Sequence, residues 1–147
     1  MYGKIMVAVD GSKNAELALA EAIQLAKACG SEVTVAHVID NSYLKYDQGY
    51  IDPAEVRAAL KEAGQALLVA ACAQVQAQQI PCKTRLLDEP VAMGDISMVV
   101  EQAAQEEGVE LLVIGTHGRH GTRRLLLGSV AEGLVRHTNL PVLLVRG

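Results

Sequence analysis

The sequence predicts an α/β fold, a three-layer αβα sandwich whose middle layer is a five-stranded parallel sheet. Short apolar runs of strand length alternate with longer segments of helical periodicity, which are long enough to join parallel strands by right-handed crossovers. Of the 147 residues 50% are hydrophobic, and none is phenylalanine or tryptophan. The core must therefore consist mainly of Val, Leu, Ile and Ala, which is typical of buried parallel strands. The length fits one domain over residues 1–147.

The first two strands are marked by apolar runs. Residues 4–9 are apolar after the first of them, which predicts a central strand that is covered on both faces. Residues 10–12 break this run, and a helix follows as far as the stop signal Gly30. A second strand is predicted at residues 33–39, where His37 is expected to be a packed or capped side chain rather than a ligand.

The middle of the chain combines a polar loop, a long helix and an edge strand. The loop at residues 40–52 carries three of the four tyrosines, which could close over a bound base or anchor the loop on the surface. Asp52 caps a helix that begins with Pro53. The predicted apolar stripe of this helix consists of Val56, Leu60, Ala63, Leu67 and Ala70. Alternation at residues 82–87 predicts a half-exposed strand, hence one at the edge of the sheet.

The last part of the chain supplies two more strands and two more helices. A helix with periodic apolar residues from Ile96 onward ends at Gly108, and a buried strand follows at residues 110–114. A final helix is predicted at residues 130–138. The uncharged strand that begins with Pro141 and ends with Val145 lies at the other edge, where pairing with a second copy across a two-fold axis would cover it. The alternative is an edge covered by the chain's own side chains.

Residues 115–129 form a glycine-punctuated connection between a predicted strand and a predicted helix. Ser129 and Glu132 have the spacing of a capping box, which marks the start of that helix. No acidic residue lies between Glu110 and Glu132, although the net charge of the chain is -4. The basic residues of this segment are Arg119, Arg123 and Arg124. Backbone N–H groups at a helix start, together with this local positive charge, indicate a phosphate site. The alternative is that the glycines only make turns and the arginines only solvate a loop.

The spacing of the glycines favours a phosphate site over a loop that only makes turns. Gly115, Gly118 and Gly128, followed by Ser129, give the pattern Gly-x2-Gly-x9-Gly-Ser. This pattern resembles the nucleotide-binding signature of the universal stress protein family, and it is neither a Walker loop nor a Rossmann fingerprint. The resemblance extends over the whole chain, through the first strand with Asp10-Gly11-Ser12, the second strand ending His37-Val38-Ile39-Asp40, and the carboxy-terminal apolar strand.

The resemblance implies both a fold and a ligand. It implies the strand order 3-2-1-4-5 of the adenine nucleotide alpha hydrolase-like fold, an ATP ligand with Mg²⁺, and a homodimer through the edge strand at residues 141–145. Asp10 would contact the ribose or, indirectly, the Mg²⁺ ion, and the backbone of Val38 would meet the adenine. Asp10 could instead be a turn aspartate. The implied nucleotide contacts are Ala8, Val9, Asp10, Val38, Ile114, Gly115, Gly118, Arg119, Gly128, Ser129 and Val130.

Strand order 3-2-1-4-5 makes strands 1 and 4 neighbours, so the strand-order reversal lies between them. Ligands of open α/β sheets bind outside the carboxyl ends of the strands at such a reversal. Asp10 follows strand 1 and the Gly115 segment follows strand 4. Two separate motifs therefore converge on one crevice, which supports a nucleotide site.

Other functions fit the sequence less well. His117 and His120 lack nearby cysteine or carboxylate partners for zinc, and Ser129 lacks the partners of a catalytic triad. We therefore expect no catalytic residues and at most slow ATP hydrolysis. The alternatives are a slow ATP hydrolase or phosphotransferase, and a dimeric interaction module without nucleotide. Asp10 and Asp88 faintly resemble a phospho-acceptor domain, but the adjacent acidic pair of that domain is missing.

Composition also limits the partners and the compartment. A pI of about 5.5 argues against nucleic acid as the main partner. No apolar run approaches the roughly 18 residues of a membrane span, and the amino terminus leads directly into a strand. Cys29, Cys72 and Cys82 lack any CxxC spacing, which suits reduced thiols. We therefore expect a cytoplasmic protein, and the family resemblance implies that it regulates stress response or survival.

Overall fold

The computed structural model describes residues 1–39, 52–88, 96–116 and 129–147. Its strands are β1 (Lys4–Ala8), β2 (Glu32–Val38), β3 (Cys82–Leu87), β4 (Leu111–Gly115) and β5 (Val142–Val145). Its helices are α1 (Lys13–Cys29), α2 (Pro53–Gln76), α3 (Ile96–Glu106) and α4 (Ser129–His137). The predicted tyrosine-rich loop, apart from its last residue Asp52, lies outside the described residues.

All five strands are parallel and lie in the order β3-β2-β1-β4-β5. This arrangement confirms the predicted α/β sandwich and its strand order. Residues of β1 alternate between two cores: Ile5 and Val7 face α1 and α2, while Met6 faces α3 and α4. All three side chains have no exposed surface, because the central strand is covered on both faces.

Local signals in the sequence set most of the helix ends. The Ser12 hydroxyl accepts a hydrogen bond from the Ala15 N–H at 3.1 Å, which caps α1. Gly30 ends that helix with φ at 67°, a left-handed conformation that favours glycine. The Asp52 carboxylate accepts from the Ala54 N–H at 3.0 Å at the start of α2. These caps confirm the predicted boundaries.

The buried face of α2 differs from the predicted stripe. Ala63 and Ala70 are exposed, whereas Gly64, Leu68 and Val75 are buried. The stripe begins at Val56 and Leu60 as predicted but continues through a glycine, which carries no hydrophobic signal. A Cβ atom on Gly64 would lie 2.8 Å from His37 Cδ2 and 2.9 Å from Leu86 Cδ1, so the missing side chain lets α2 approach the sheet.

The carboxy-terminal helix and strand are shifted slightly from their predicted bounds. Helix α4 begins at Ser129 rather than Val130, and β5 begins at Val142, although the Pro141 carbonyl already accepts from the Leu112 N–H at 3.0 Å. Glu132 bonds to Arg136, one turn further along α4, at 2.8 Å. The predicted capping box of Ser129 and Glu132 stays a prediction, because the Ser129 side chain lies outside what the structure describes.

A network of charges joins the edge strand β3 to the end of α3. Arg85 bonds to Glu107 at 2.7 Å and to Glu106 at 3.4 Å. Lys83 lies 3.8 Å from Glu107. The hydrogen bond from Arg85 lowers the pKa of Glu107, although desolvation opposes this effect.

This lowered pKa predicts an acid-dependent contribution to stability. Because the folded pKa lies below the unfolded value, which is about 4.3 for glutamate, the stabilisation is present at neutral pH and is lost as the pH falls through the folded pKa. We expect Glu107→Gln to lose stability relative to the wild type at pH 7, with the difference shrinking in acid. Urea denaturation measures this stability difference between about pH 3 and pH 7, the range in which a carboxylate with a lowered pKa loses its charge. If the free energy of unfolding changed with pH as steeply in Glu107→Gln and Arg85→Gln as in the wild type, the Arg85–Glu107 pair would not be the source of this pH dependence.

The three cysteines are free thiols. Cys72 is buried, and burial, followed by a hydrogen bond with the Cys72 thiol, raises the pKa of Cys82. A thiol with a raised pKa carries little thiolate at neutral pH and is a poor nucleophile. Cys82 is therefore placed for packing rather than for redox chemistry.

Candidate functional site

The two halves of the sheet part at its carboxyl edge. β1 stays paired with β2 as far as Ala8 and Ala36, and the Val9 N–H continues to the Ala36 carbonyl at 2.8 Å. The pairing of β1 with β4 ends earlier, at Val7 and Val113. β4 instead continues with β5 as far as Gly115 and Val145. The carboxyl ends of β1 and β4 are thus held by different neighbours, at the point where the strand order reverses.

Asp10 lies at this edge and holds a tight turn. One oxygen of its carboxylate accepts a hydrogen bond from the Ser12 N–H at 2.9 Å. Gly11 between them has φ at 83°. The turn leads directly into the Ser12 cap of α1, so the structure shows the turn role that the sequence left as an alternative. This bond does not test the ligand role of Asp10, which stays a prediction.

A side chain near the end of β2 is bonded to the residue that follows β1. The His37 ring Nδ1 lies 2.8 Å from the Val9 carbonyl, and since a carbonyl only accepts, Nδ1 carries the proton. His37 is therefore the packed side chain that the sequence predicts. Ala8 and Val38 are half-buried, while Val9 is buried. Val38 ends β2 opposite Leu87, at the same edge as Asp10.

Of the predicted contacts in the glycine segment, the structure describes those at its two ends. Ile114 is buried and Gly115 is half-buried at the end of β4. Ser129 is the first residue of α4, and the half-buried Val130 packs against the core on that side of the sheet. Gly118, Arg119 and Gly128 lie outside the described residues, as do His117, His120, Arg123 and Arg124.

Two residues at this edge were not predicted from the sequence. Asn14, in the first turn of α1, donates from Nδ2 to the Val145 carbonyl at 3.2 Å. Thr116 is buried, and its N–H bonds to the same carbonyl at 3.0 Å. Nothing in the local pattern singles out either residue, because both bonds join segments that are distant in sequence.

A further acidic group lies at the end of β3. The Asp88 carboxylate bonds through Oδ2 to Arg57 Nη2 of α2 at 3.2 Å, and its carbonyl accepts from the same nitrogen at 3.3 Å. Oδ1 is buried, and no hydrogen-bond partner for it is found in the described structure. This pair fixes the start of α2 against the edge strand.

The described residues contain no group of three or more His, Cys, Asp or Glu side chains that could hold a metal ion. Within the same residues, no helix is both long and apolar enough to cross a bilayer. The magnesium contact that the resemblance implies for Asp10 does not require such a group, since a nucleotide-bound Mg²⁺ ion usually keeps several waters and binds one or two carboxylates besides the phosphates.

Comparisons with known proteins agree with this geometry. The profile of the universal stress protein family matches residues 1–146. Universal stress protein YxiE of Bacillus subtilis is 30% identical over 99% of this chain and 100% of its own length.

Among solved structures, a universal stress protein family member from Burkholderia pseudomallei is 31% identical with a TM-score of 0.79, covering 98% of this chain and 96% of its own. The structure of MJ0577 is 27% identical with a TM-score of 0.83, covering 100% and 97%. MJ0577 is a universal stress protein of Methanocaldococcus jannaschii. This chain belongs to the universal stress protein family.

Proposed function

We propose that this protein is an ATP-binding regulator of stress response or survival, and that it holds the nucleotide at the carboxyl edge between β1 and β4. The observation that carries the proposal is the convergence of two motifs on one edge. Asp10 follows β1 and the intact Gly-x2-Gly-x9-Gly-Ser segment follows β4, and the paired register of these neighbouring strands ends at Val7 and Val113. A crevice at a strand-order reversal is where open α/β sheets bind nucleotides.

Each part of the nucleotide has residues that fit its chemistry. The N–H groups at the start of α4 and in the glycine segment would hold the phosphates, aided by the helix dipole and by Arg119. Asp10 would contact a ribose hydroxyl or, indirectly, Mg²⁺, and the Val38 backbone would meet the adenine. Mg²⁺ would neutralise part of the phosphate charge. Asp10 fits such a role because the Ser12 N–H fixes its carboxylate at the mouth of the crevice.

Relatives of the same fold support an adenine ligand. A universal stress protein with 22% identity and a TM-score of 0.69 was solved in complex with cAMP. The universal stress protein from Archaeoglobus fulgidus, with 24% identity and a TM-score of 0.68, was solved in complex with dAMP. At this identity the likeness establishes the shared fold, and the ligands are those of the relatives.

The proposal includes a cytoplasmic homodimer and binding without committed catalysis. β5 is an edge strand of four residues, and Leu143 at its centre is 36% exposed. An apolar edge without charged side chains is suited to pairing with a second copy. Asp10, the acid at the crevice, is fixed in a turn, which suits a static contact better than proton transfer.

The first experiment asks whether the protein carries a nucleotide. The purified protein is denatured, the released small molecules are analysed, and ATP binding to the wild type is measured by calorimetry. We expect an adenine nucleotide in the released fraction or ATP binding to the emptied protein. If the protein neither releases an adenine nucleotide nor binds ATP, a dimeric interaction module without nucleotide becomes the better description.

The second experiment tests the placement of the site. We expect Gly128→Val to weaken ATP binding by about tenfold to a hundredfold, the loss of one or two charge-assisted hydrogen bonds. Gly3→Val is the matched control, because Gly3 is exposed and precedes β1 at the opposite end of the sheet. Equal ATP binding by Gly128→Val and the wild type would contradict the site. ATP turnover at enzyme-like rates, lost in Gly128→Val, would favour the hydrolase instead.

A further inference from the structure

Asn14 makes contacts on both sides of its side chain. Its Nδ2 donates to the Val145 carbonyl at 3.2 Å, and this carbonyl also accepts from the Thr116 N–H at 3.0 Å. Because a carbonyl cannot donate, the amide nitrogen of Asn14 must face β5 and its oxygen must face the other way. The oxygen side lies against Gly115, the last residue of β4.

The contact with Gly115 leaves no room for a side chain there. A Cβ atom on Gly115 would lie 2.3 Å from Asn14 Oδ1, 2.8 Å from its Cγ and 3.1 Å from its backbone oxygen. The first two distances are far inside van der Waals contact. The family resemblance implies that this glycine contacts the nucleotide. The structure shows that packing alone already requires a glycine at position 115, since the space beside its Cα is filled by the Asn14 side chain of α1.

Asn14 thereby joins the segments that frame the proposed site. It belongs to the turn of α1 that follows Asp10 and Ser12, it covers the first glycine of the signature, and it shares a carbonyl with Thr116, the next residue of the glycine segment. Val145 is the last residue of β5. A displacement of β5 therefore moves the carbonyl that holds both Asn14 and Thr116.

We propose that Asn14 is a positioning residue, which fixes the start of the glycine segment between α1 and β5 and thereby links nucleotide binding to the edge strand. The proposal rests on the proposed function for its ligand, but its packing step does not. Asn14 need not touch the nucleotide: it holds Gly115 and Thr116, which lead into the phosphate-binding segment. Residues that hold a binding segment in place affect affinity through its geometry.

A double-mutant cycle tests the packing step. We expect Gly115→Ala to lower the melting temperature strongly, Asn14→Ala to lower it less, and the double variant Asn14→Ala/Gly115→Ala to melt close to Asn14→Ala. Removal of the amide relieves the contacts at 2.3 and 2.8 Å and leaves only the backbone contact at 3.1 Å. Additive losses in the double variant would overturn the packing step, because non-additivity is the signature of direct contact.

Nucleotide affinity and amide exchange test the positioning step. Asn14→Asp keeps the shape of the side chain but cannot donate to the Val145 carbonyl when it is ionised. We expect Asn14→Ala and Asn14→Asp each to weaken ATP binding roughly tenfold and to speed exchange of the Thr116 amide by a similar factor, the size of one lost hydrogen bond. At an ATP concentration that saturates only the wild type, ATP should slow this exchange more in the wild type than in either variant. Unchanged affinity in both variants, with the wild type binding ATP, would overturn the positioning step.

A control separates positioning from general destabilisation. Val75→Ala shortens a side chain that has no exposed surface near the end of α2, apart from the residues of the proposed site, so this variant destabilises the core without straining α4. It should melt at a lower temperature and still bind ATP like the wild type. If the wild type itself binds no nucleotide, the proposed function fails, while the melting cycle and the Thr116 exchange still decide the role of Asn14.

Discussion

Replacement of Leu112 by alanine is expected to lower the free energy of unfolding by about 2 to 5 kcal/mol. Leu112 is 2% exposed in the middle of β4, and its paired neighbours are Met6 of β1 and Val142 of β5. It packs in the core between the sheet and helices α3 and α4. Because hydrogen-bonded strands on both sides hold the backbone in place, the surroundings cannot collapse into the space that the side chain leaves.

Urea denaturation followed by circular dichroism measures this loss as a lower midpoint at constant slope. Leu17→Ala is the matched control, since the same atoms are removed from a side chain of α1 that is 39% exposed. We expect that control to stay within about 1 kcal/mol of the wild type. Similar losses in the two variants would show that the interior near β4 adapts, contrary to a close-packed core.

The sheet could be predicted because its signals are contained in single segments. β1 and β4 are apolar at successive positions, which only a strand covered on both faces requires, and Ser12 and Gly30 mark the ends of α1. The alternation at residues 82–87 indicates an edge, and β3 does lie at one. The strand order came from the family resemblance, because periodicity does not say which strands pair.

The site could be predicted only in outline. Asp10 and Gly115 stand at strand ends that the order of strands brings together. The contacts made by Asn14 could not be predicted, because its partners Gly115 and Val145 are about a hundred or more residues away and an asparagine in a first helical turn is ordinary. The same limit applies to Asp88 and Arg57, whose bond joins the end of β3 to the start of α2.

The face of α2 shows how a glycine misleads a pattern of apolar residues. Ala63 follows Val56 and Leu60 at helical spacing and is hydrophobic, so the sequence assigns it to the core. The helix instead turns Gly64 toward the sheet, where His37 and Leu86 lie too close for any side chain. How closely two backbones approach depends on both segments, whereas a pattern of hydrophobic residues is read from one segment alone.

Gly64→Val is accordingly expected to cost about 3 kcal/mol of stability, at the upper end for an overpacked core. The new Cβ alone would lie 2.8 Å from His37 Cδ2 and 2.9 Å from Leu86 Cδ1. The ring of His37 cannot simply move aside, because its Nδ1 is bonded to the Val9 carbonyl at 2.8 Å. The strain must therefore displace either the helix or the end of β1 beside the proposed site. Helix propensity works in the opposite direction, since valine is a better helix former than glycine.

Ala63→Val is the matched control, because it adds the same branched side chain one residue earlier on an exposed position of α2. We expect this control to lose less than about 1 kcal/mol, mainly through helix propensity. Thermal and urea denaturation of both variants measure the difference. If Ala63→Val proved the more damaging change, the predicted stripe would be right, and the packing of α2 against β2 and β3 would have to be rotated.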